Sequence, residues 1–261
     1  MTATANIEAR NNDGESPLHC AAGYGHEGAV RLLLENNADT AARDEDGDSP
    51  LHCAAGYGHE GAVRLLLEKK ADIAARGEYC RSPLHWAARY GHEGVVRLLL
   101  QTNADTAARD EEGASPLHWA ASNGHEGAVR LLLEKQRRHR GEGRTMTGDS
   151  PLHCAAEYGN SPLHKAAEDG HEGTVRLLLD RNANIAARDE WVWSCGRGEA
   201  AAGRLLLENN ADIAARSNDG LSPLHLAAHN GHEGTVRLLL DRNANIAARD
   251  EYGLSPLHLR R

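Results

Sequence analysis

The chain has 261 residues, a formal net charge of −9, 40% hydrophobic residues, 4% aromatic residues and no phenylalanine. That apolar content can bury a substantial core, but one made of Leu, Ala and Val, which suits thin, closely stacked helices better than one thick centre. The acidic balance excludes a basic surface for non-specific nucleic-acid binding, and neither an apolar leader in MTATANIEAR nor a membrane-length apolar run is present, so the expected location is cytoplasmic or nuclear.

Residues Ala5 to Arg10 read like Ala38 to Arg43, so the chain opens on the tail of a repeating unit. The unit itself is clearest in 49–68. Ser49 followed by Pro50 predicts a helix start, because the hydroxyl caps an orphan N–H and proline lacks the N–H that position would waste. Leu51, Ala54 and Ala55 share one face of that short helix, and Gly56-Tyr57-Gly58 ends it. Val63, Leu66 and Leu67 form the apolar face of a second helix, with Arg64 and Glu68 pointing away. Gly61 costs this helix roughly 1 kcal/mol relative to alanine. Neither helix persists alone in water, where about 12–15 residues are needed. Burial against neighbouring copies has to supply the stability.

Ser-Pro-Leu-His starts recur at Ser16, Ser49, Ser82 and Ser115, a period of 33 residues. Asn37, Lys70 and Asn103 share the slot after the second helices, and asparagine is the residue that tolerates a left-handed backbone best after glycine. The fourth copy departs after Lys135. It continues QRRHRGEGR instead of an Asn-Ala-Asp exit, and the next start, Ser150, comes 35 residues after Ser115. Residues 136–144 can be encoded so that the frame one nucleotide later contains Thr-Ala-Ala-Arg-Asp-Glu, the text of Thr40 to Glu45. A shifted exit and a solvated insertion are the two readings of this segment. Ser161 follows Ser150 by 11 residues, so that copy has lost its second helix. A full copy runs from Ser161, the next has lost its first-helix motif around Trp191 to Gly203, another full copy opens at Ser222, and a truncated one at Ser255. The expected organisation is a regular block over 5–134, an irregular insertion plus half repeat over 135–160, and a second block over 161–261 with a defective repeat at 191–221. Local fraying is expected at 135–149, 191–203 and 255–261.

The 33-residue period, the Ser-Pro-Leu-His start, the Gly-His turn, the Val-Arg-Leu-Leu-Leu second helix and the Asn-Ala-Asp exit resemble the ankyrin repeat over nearly the whole chain. Serine replaces the family's usual threonine with the same capping role. The resemblance implies an all-α solenoid of stacked helix-turn-helix units with β-turn tips. It also implies a monomer that binds a protein partner in a concave groove lined by the tips and the exposed ends of the first helices. Carried over residue by residue, the groove positions are Tyr24, Glu45, Asp46, Asp48, Tyr57, Glu78, Tyr79, Arg81, Arg89, Tyr90, Glu111, Glu112, Ser122 and Asn123. Acidic tips beside a ladder of tyrosines suit a basic protein segment. Family repeats often carry a hydroxylated asparagine where this chain has Ala41, Ala74, Ala107 and Ala214, so that modification is not expected.

The 16 histidines invite a metal or catalytic reading, but their phase argues otherwise. His19, His52, His85, His118, His153, His164, His225 and His258 occupy one slot of the repeat. His26, His59, His92, His125, His171 and His232 occupy another. The repeat explains them, and in proteins this chain resembles the first set ties the tip to the next repeat. No HExxH, phosphate-binding glycine loop or triad pattern is present, so no catalysis, cofactor or metal site is expected. Cys20, Cys53 and Cys154 share a slot, Cys80 and Cys195 fall elsewhere, and all five read as reduced. Trp86 and Trp119 stand in the Cys20 slot and are expected to pack between neighbouring first helices. The preferred function is protein–protein interaction or scaffolding. The alternative is a fragment of a larger ankyrin array, or a decayed, functionally unselected reading frame.

Overall fold

The computed structural model describes residues 7–141, 160–180 and 213–256, with the backbone alone for 137–141. The expectations for the half repeat before Asn160, for the defective repeat at 191–212 and for 257–261, with Cys154 and Cys195, lie outside the described residues.

Each described copy is a pair of short helices. They are α1 (Pro17–Gly23), α2 (Glu27–Glu35), α3 (Pro50–Gly56), α4 (Glu60–Glu68), α5 (Pro83–Arg89) and α6 (Glu93–Gln101), then α7 (Pro116–Ser122), α8 (Glu126–Gly141), α9 (Pro162–Glu168), α10 (Glu172–Asp180), α11 (Pro223–His229) and α12 (Glu233–Asp241). The fold is an all-α repeat solenoid. The chain divides into two compact units at Glu111 and Glu112. In the first, α1 packs on α3 and α3 on α5, while α2 packs on α4 and α4 on α6. In the second, α7 packs on α9 and α9 on α11, while α8 packs on α10 and α10 on α12. The full copies starting at Ser115, Ser161 and Ser222 therefore stack directly on one another, although their starts are not one period apart. The core follows the predicted faces: Leu18, Leu51, Leu66, Leu84, Leu99, Leu132, Leu163, Leu178 and Leu239 are the largest fully buried apolar side chains, with Ala54, Ala55 and their equivalents between them, while Leu67 of the predicted second-helix face is only half-buried.

All six described starts form capping boxes with proline in the first turn. The box is an unusual one, because its third residue is histidine rather than Glu or Gln. The serine N–H donates to the histidine Nδ1 at 3.0–3.2 Å, as at Ser49 and Ser161, and the hydroxyl donates to the same nitrogen at 2.7–2.8 Å. With Nδ1 accepting, the ring proton must sit on Nε2. That N–H donates to the carbonyl just before the next full copy's serine: His19 to Asp48 at 3.1 Å and His52 to Arg81 at 3.1 Å. His118 donates to Asn160 at 3.2 Å, His164 to Leu221 at 3.0 Å and His225 to Leu254 at 3.2 Å. The Gly-His histidines do the same work at the other end of the first helix. Nε2 of His59, His92, His171 and His232 donates to the carbonyl of Gly23, Gly56, Ser122 and Glu168, an orphan helix-end carbonyl of the preceding full copy.

Two further sets of cross-copy contacts are invisible in the sequence pattern, the first of hydrogen bonds and the second of close approach. Arg43 Nη1 donates to Gly47 O in its own tip and to Arg76 O, 33 residues on; Arg76 repeats this with Cys80 O and Arg109 O, and Arg216 with Gly220 O and Arg249 O. The second set explains the glycine of each His-Glu-Gly turn. A Cβ on Gly61 would lie 1.7 Å from Glu27 Oε1, and one on Gly94 1.6 Å from Glu60 Oε1. Each glutamate carboxylate thus occupies the first turn of the next second helix, where negative charge is favoured.

Helix α8 runs on to Gly141, beyond the expected break after Lys135. The slot that holds Asn37, Lys70 and Asn103 in the earlier copies is Gln136 here, and Gln and Arg continue a helix until a glycine arrives. The earlier three residues do adopt a left-handed backbone, with φ of 63, 61 and 64°. Lys70 is therefore the misfit, at a cost of roughly 1–2 kcal/mol for an ordinary side chain in that region. Lys70→Gly should stabilise the protein by about 1 kcal/mol after the glycine's own unfolded-state entropy is counted. Asn37→Gly should change it by only a few tenths. Urea denaturation midpoints at constant slope check both.

Candidate functional site

The face formed by the first-helix C-termini and the tips holds the large exposed aromatic side chains of the first unit. Tyr24 and Tyr57 cap α1 and α3 and are 75% and 70% exposed, while Tyr90 at the end of α5 and Tyr79 at the third tip are 50% and 49% exposed. The rings are held rather than loose. Tyr24 stacks on His26, Tyr57 on His59, and Tyr90 lies at 6.3 Å from His92. Gly23 gives Tyr57 its seat: a Cβ there would lie 3.8 Å from the Tyr57 ring.

The tips are stitched by their own backbone. In the second tip Asp44 Oδ1 accepts from the N–H of Asp46 and of Asp48, closing an Asx-type turn, and Gly47 supplies the left-handed residue. Glu45 N–H then donates to Asp13 O of the tip before it at 3.1 Å, and Glu111 to Tyr79 O at 2.9 Å. Glu45, Asp46 and Glu111 are exposed acidic groups on this scaffold.

The third tip is built differently. Gly77 stands where Asp44 stands one copy earlier, so the turn has no capping carboxylate of its own. Cys80 stands where Gly47 stands, so it has no glycine either. The chain makes a 3₁₀ turn over Glu78–Cys80, with φ of 52° at Tyr79 and 56° at Cys80. Two consecutive non-glycine residues in the left-handed region are strained. The missing cap comes from the preceding tip. Asp48 Oδ1 accepts from Glu78 N–H at 3.1 Å, and the absent Cβ of Gly77 leaves it room to do so.

Arg81, Arg89, Trp86, Tyr79 and Tyr90 gather beside this turn. The Arg81 guanidinium lies 4.7 Å from the Tyr79 ring centroid and 5.4 Å from that of Trp86, and it pairs with Asp110 through Nε at 3.4 Å. Arg89 lies 5.5 Å from the Trp86 ring and 5.7 Å from Tyr90, and the Trp86 and Tyr90 rings stack at 6.0 Å. Trp86 does pack between first helices, its Cβ lying 3.8 Å from where a Gly56 Cβ would be, but its ring also forms the floor of this cluster. Arg81, read from the sequence as a tip residue, is only 3% exposed and supports the cluster from beneath. Asp48 and Glu78 are half-buried by their mutual contact. Glu112, Ser122 and Asn123 belong to the second unit. There Ser122 Oγ donates to Asp169 at 2.9 Å and Asn123 Nδ2 to the Trp119 carbonyl at 2.8 Å, and Glu112 is exposed. The sequence reading did not find the Gly77 and Cys80 exchange, although both lie in phase with Asp44 and Gly47.

Among the described residues, no group of three or more His, Cys, Asp or Glu is placed to hold a metal ion, and no helix is long and apolar enough to cross a membrane. Cys20, Cys53 and Cys80 are free thiols. Burial pushes the Cys53 thiol up, and this side chain behaves as a small apolar residue rather than a nucleophile.

The sequence profile described as "Ankyrin repeats (3 copies)" matches residues 2–77, 43–110, 84–189 and 191–259. The chain belongs to the ankyrin-repeat family. Its fold matches the crystal structure of the human ASB11 ankyrin repeat domain with a TM-score of 0.70 and 24% identity, over 95% of this chain and 92% of that one. No curated protein sequence matches the chain. Ankyrin repeats are in general protein-interaction modules.

Burial moves two neighbouring groups of the second copy in opposite senses. The His52 imidazole is pushed down to about 4 from its ordinary 6.5, chiefly by burial. Burial is also the main cause that lifts the Asp48 carboxyl to about 6 from 3.8; the Glu78 N–H opposes the rise, and the charges of Asp44, Glu78 and Asp46 add to it. For His52 the unfolded chain takes up the proton first as pH falls, so its contribution is intact above pH 6.5 and is lost between there and about 4. That loss amounts to about 3 kcal/mol. For Asp48 the folded chain holds the proton longer, so its contribution is present below about pH 4 and is lost as pH rises through 6. Asp48→Asn keeps the acceptor for Glu78 and removes the charge. It should be more stable than wild type by about 1 kcal/mol at pH 7–8, after discounting for partial exposure, with the difference vanishing below pH 4. Urea titrations across pH 4–8 on both proteins check this.

Proposed function

We propose that the chain is a non-catalytic interaction module whose first unit receives a protein segment across its tips and first-helix ends. The observation that carries this reading is the exposure of Tyr24, Tyr57 and Tyr90 at the same place in three successive copies, each ring held against a histidine. Pre-positioned tyrosines offer large contact area with little torsional freedom left to freeze. Glu45 and Asp46 beside them give the acidic rim that a basic stretch of the partner would complement. The expected use is as a monomer, with the binding block on the copies of the first unit.

The test compares three full-length proteins in cross-linking and affinity capture from cells: wild type, the triple Tyr24→Ala, Tyr57→Ala, Tyr90→Ala variant, and a control with Arg31, Arg64 and Arg97 on the exposed second-helix face changed to Ala. The tyrosine variant should lose its specific partners tenfold or more while the control keeps them. Equal recovery by the tyrosine variant removes the assignment of this face.

A further inference from the structure

The third copy differs from the first two in charge, in backbone and in satisfaction of its polar atoms. We infer that it anchors an acidic side chain of the partner, an Asp or Glu carboxylate seated on Arg89 against the Trp86–Tyr90 stack. The inference rests on the reading of this face as the partner surface, and deepens it by naming the chemistry of one contact.

Three observations converge. At the end of the first helix the first two copies carry Gly23 and Gly56, whereas the third carries Arg89, whose guanidinium lies over both Trp86 and Tyr90. The Trp86 face also carries Arg81. Arg81 is buried and paired with Asp110, so the half-buried Arg89 is the cation that a partner meets at these rings, and its complement is an anion. Next, the Trp86 indole Nε1–H is buried with no acceptor. A buried donor left unpaired costs free energy that a carboxylate oxygen would recover, and Arg89 and Tyr90, half-buried and exposed, are side chains that can swing to admit one. Finally, the backbone beside the cluster is strained at Tyr79 and Cys80, and such strain concentrates where a surface is held ready for a ligand.

The second tip, with Glu45 and Asp46 exposed, has the opposite polarity. Stacked first helices lie about 8–10 Å apart and an extended chain advances about 3.3 Å per residue. A seven-residue first helix adds about 10 Å between a tip and a helix end, so a partner segment running from the second tip to Arg89 spans roughly 14 Å and carries a Lys or Arg about four residues from its Asp or Glu. A single-stranded nucleic acid would also combine phosphate with stacking, but the acidic tips on either side repel it.

The probe is a random dodecapeptide display library selected on the full-length protein, on Arg89→Gly, which installs the residue of the first two copies and so is compatible with the fold, and on the tyrosine triple variant. Peptides enriched on wild type should carry an acidic residue about four positions from a basic one, and that acidic preference should fall at least tenfold on Arg89→Gly. A synthetic selected peptide should shift the Trp86 indole Nε1–H resonance, and its Glu→Gln analogue should not. Undiminished acidic enrichment on Arg89→Gly, or an equal Trp86 shift with the Gln peptide, overturns the carboxylate anchor while leaving the partner surface intact. Equal enrichment on wild type and on the tyrosine variant overturns the surface itself. A hexathymidylate probe that shifts Trp86 at lower concentration than the selected peptide replaces the peptide with nucleic acid.

Discussion

The structure depends on one contact, the buried imidazole that reaches from the first helix of one copy to the backbone just ahead of the next. His52 shows its logic. Nδ1 is committed to the N–H and hydroxyl of Ser49, so Nε2 must donate, and it donates to the carbonyls of Arg81 and Ala75. One side chain thereby caps its own helix and fixes the following tip. Helices of seven and nine residues could not stand alone. The imidazole gives them a register as well as a neighbour, and the Gly-His histidines and exit arginines repeat the same device at the other end of the first helix and along the tips.

This contact also explains how the stack tolerates its irregular stretches. His118 reaches Asn160 and His164 reaches Leu221, the residues just before the next full copy. Coupling in such an array is between nearest neighbours, so a complete copy needs only another complete copy beside it, whatever length of chain separates them. The carboxylate of Glu126 at Gly173, and that of Glu172 at Gly234, keep the same relation as Glu27 at Gly61.

Much of this was legible in the sequence. The Ser-Pro starts and the apolar spacing placed the described α-helices, apart from the run of α8 on to Gly141, and the phase of the histidines marked them as structural. The left-handed slot of Asn37 and Lys70 could be read as well. Three things could not. Which copies touch across 142–159 and 181–212 is a matter of pairing in space, and local sequence encodes helices rather than neighbours. The bonds of Arg43 and Arg76 end on backbone carbonyls, which carry no residue signature. The burial of Arg81 follows from its pairing with Asp110, a contact between two residues that each look like solvated turn charges. The distinct third tip lies between these cases, since Gly77 and Cys80 break the pattern visibly but their meaning needed the rescue by Asp48. The third-copy cluster thus falls where the repeat rule is broken, and the regular positions hold it in place.

Neutral, Nε2-protonated imidazoles couple the copies, and long-range ¹H–¹⁵N correlation spectra of the histidine rings report on that coupling. The spectra should show the Nε2–H tautomer for His19, His52, His118, His164 and His225, with His52 still uncharged at pH 5.5. An Nδ1–H tautomer at these positions, or a His52 imidazolium at that pH, would contradict it.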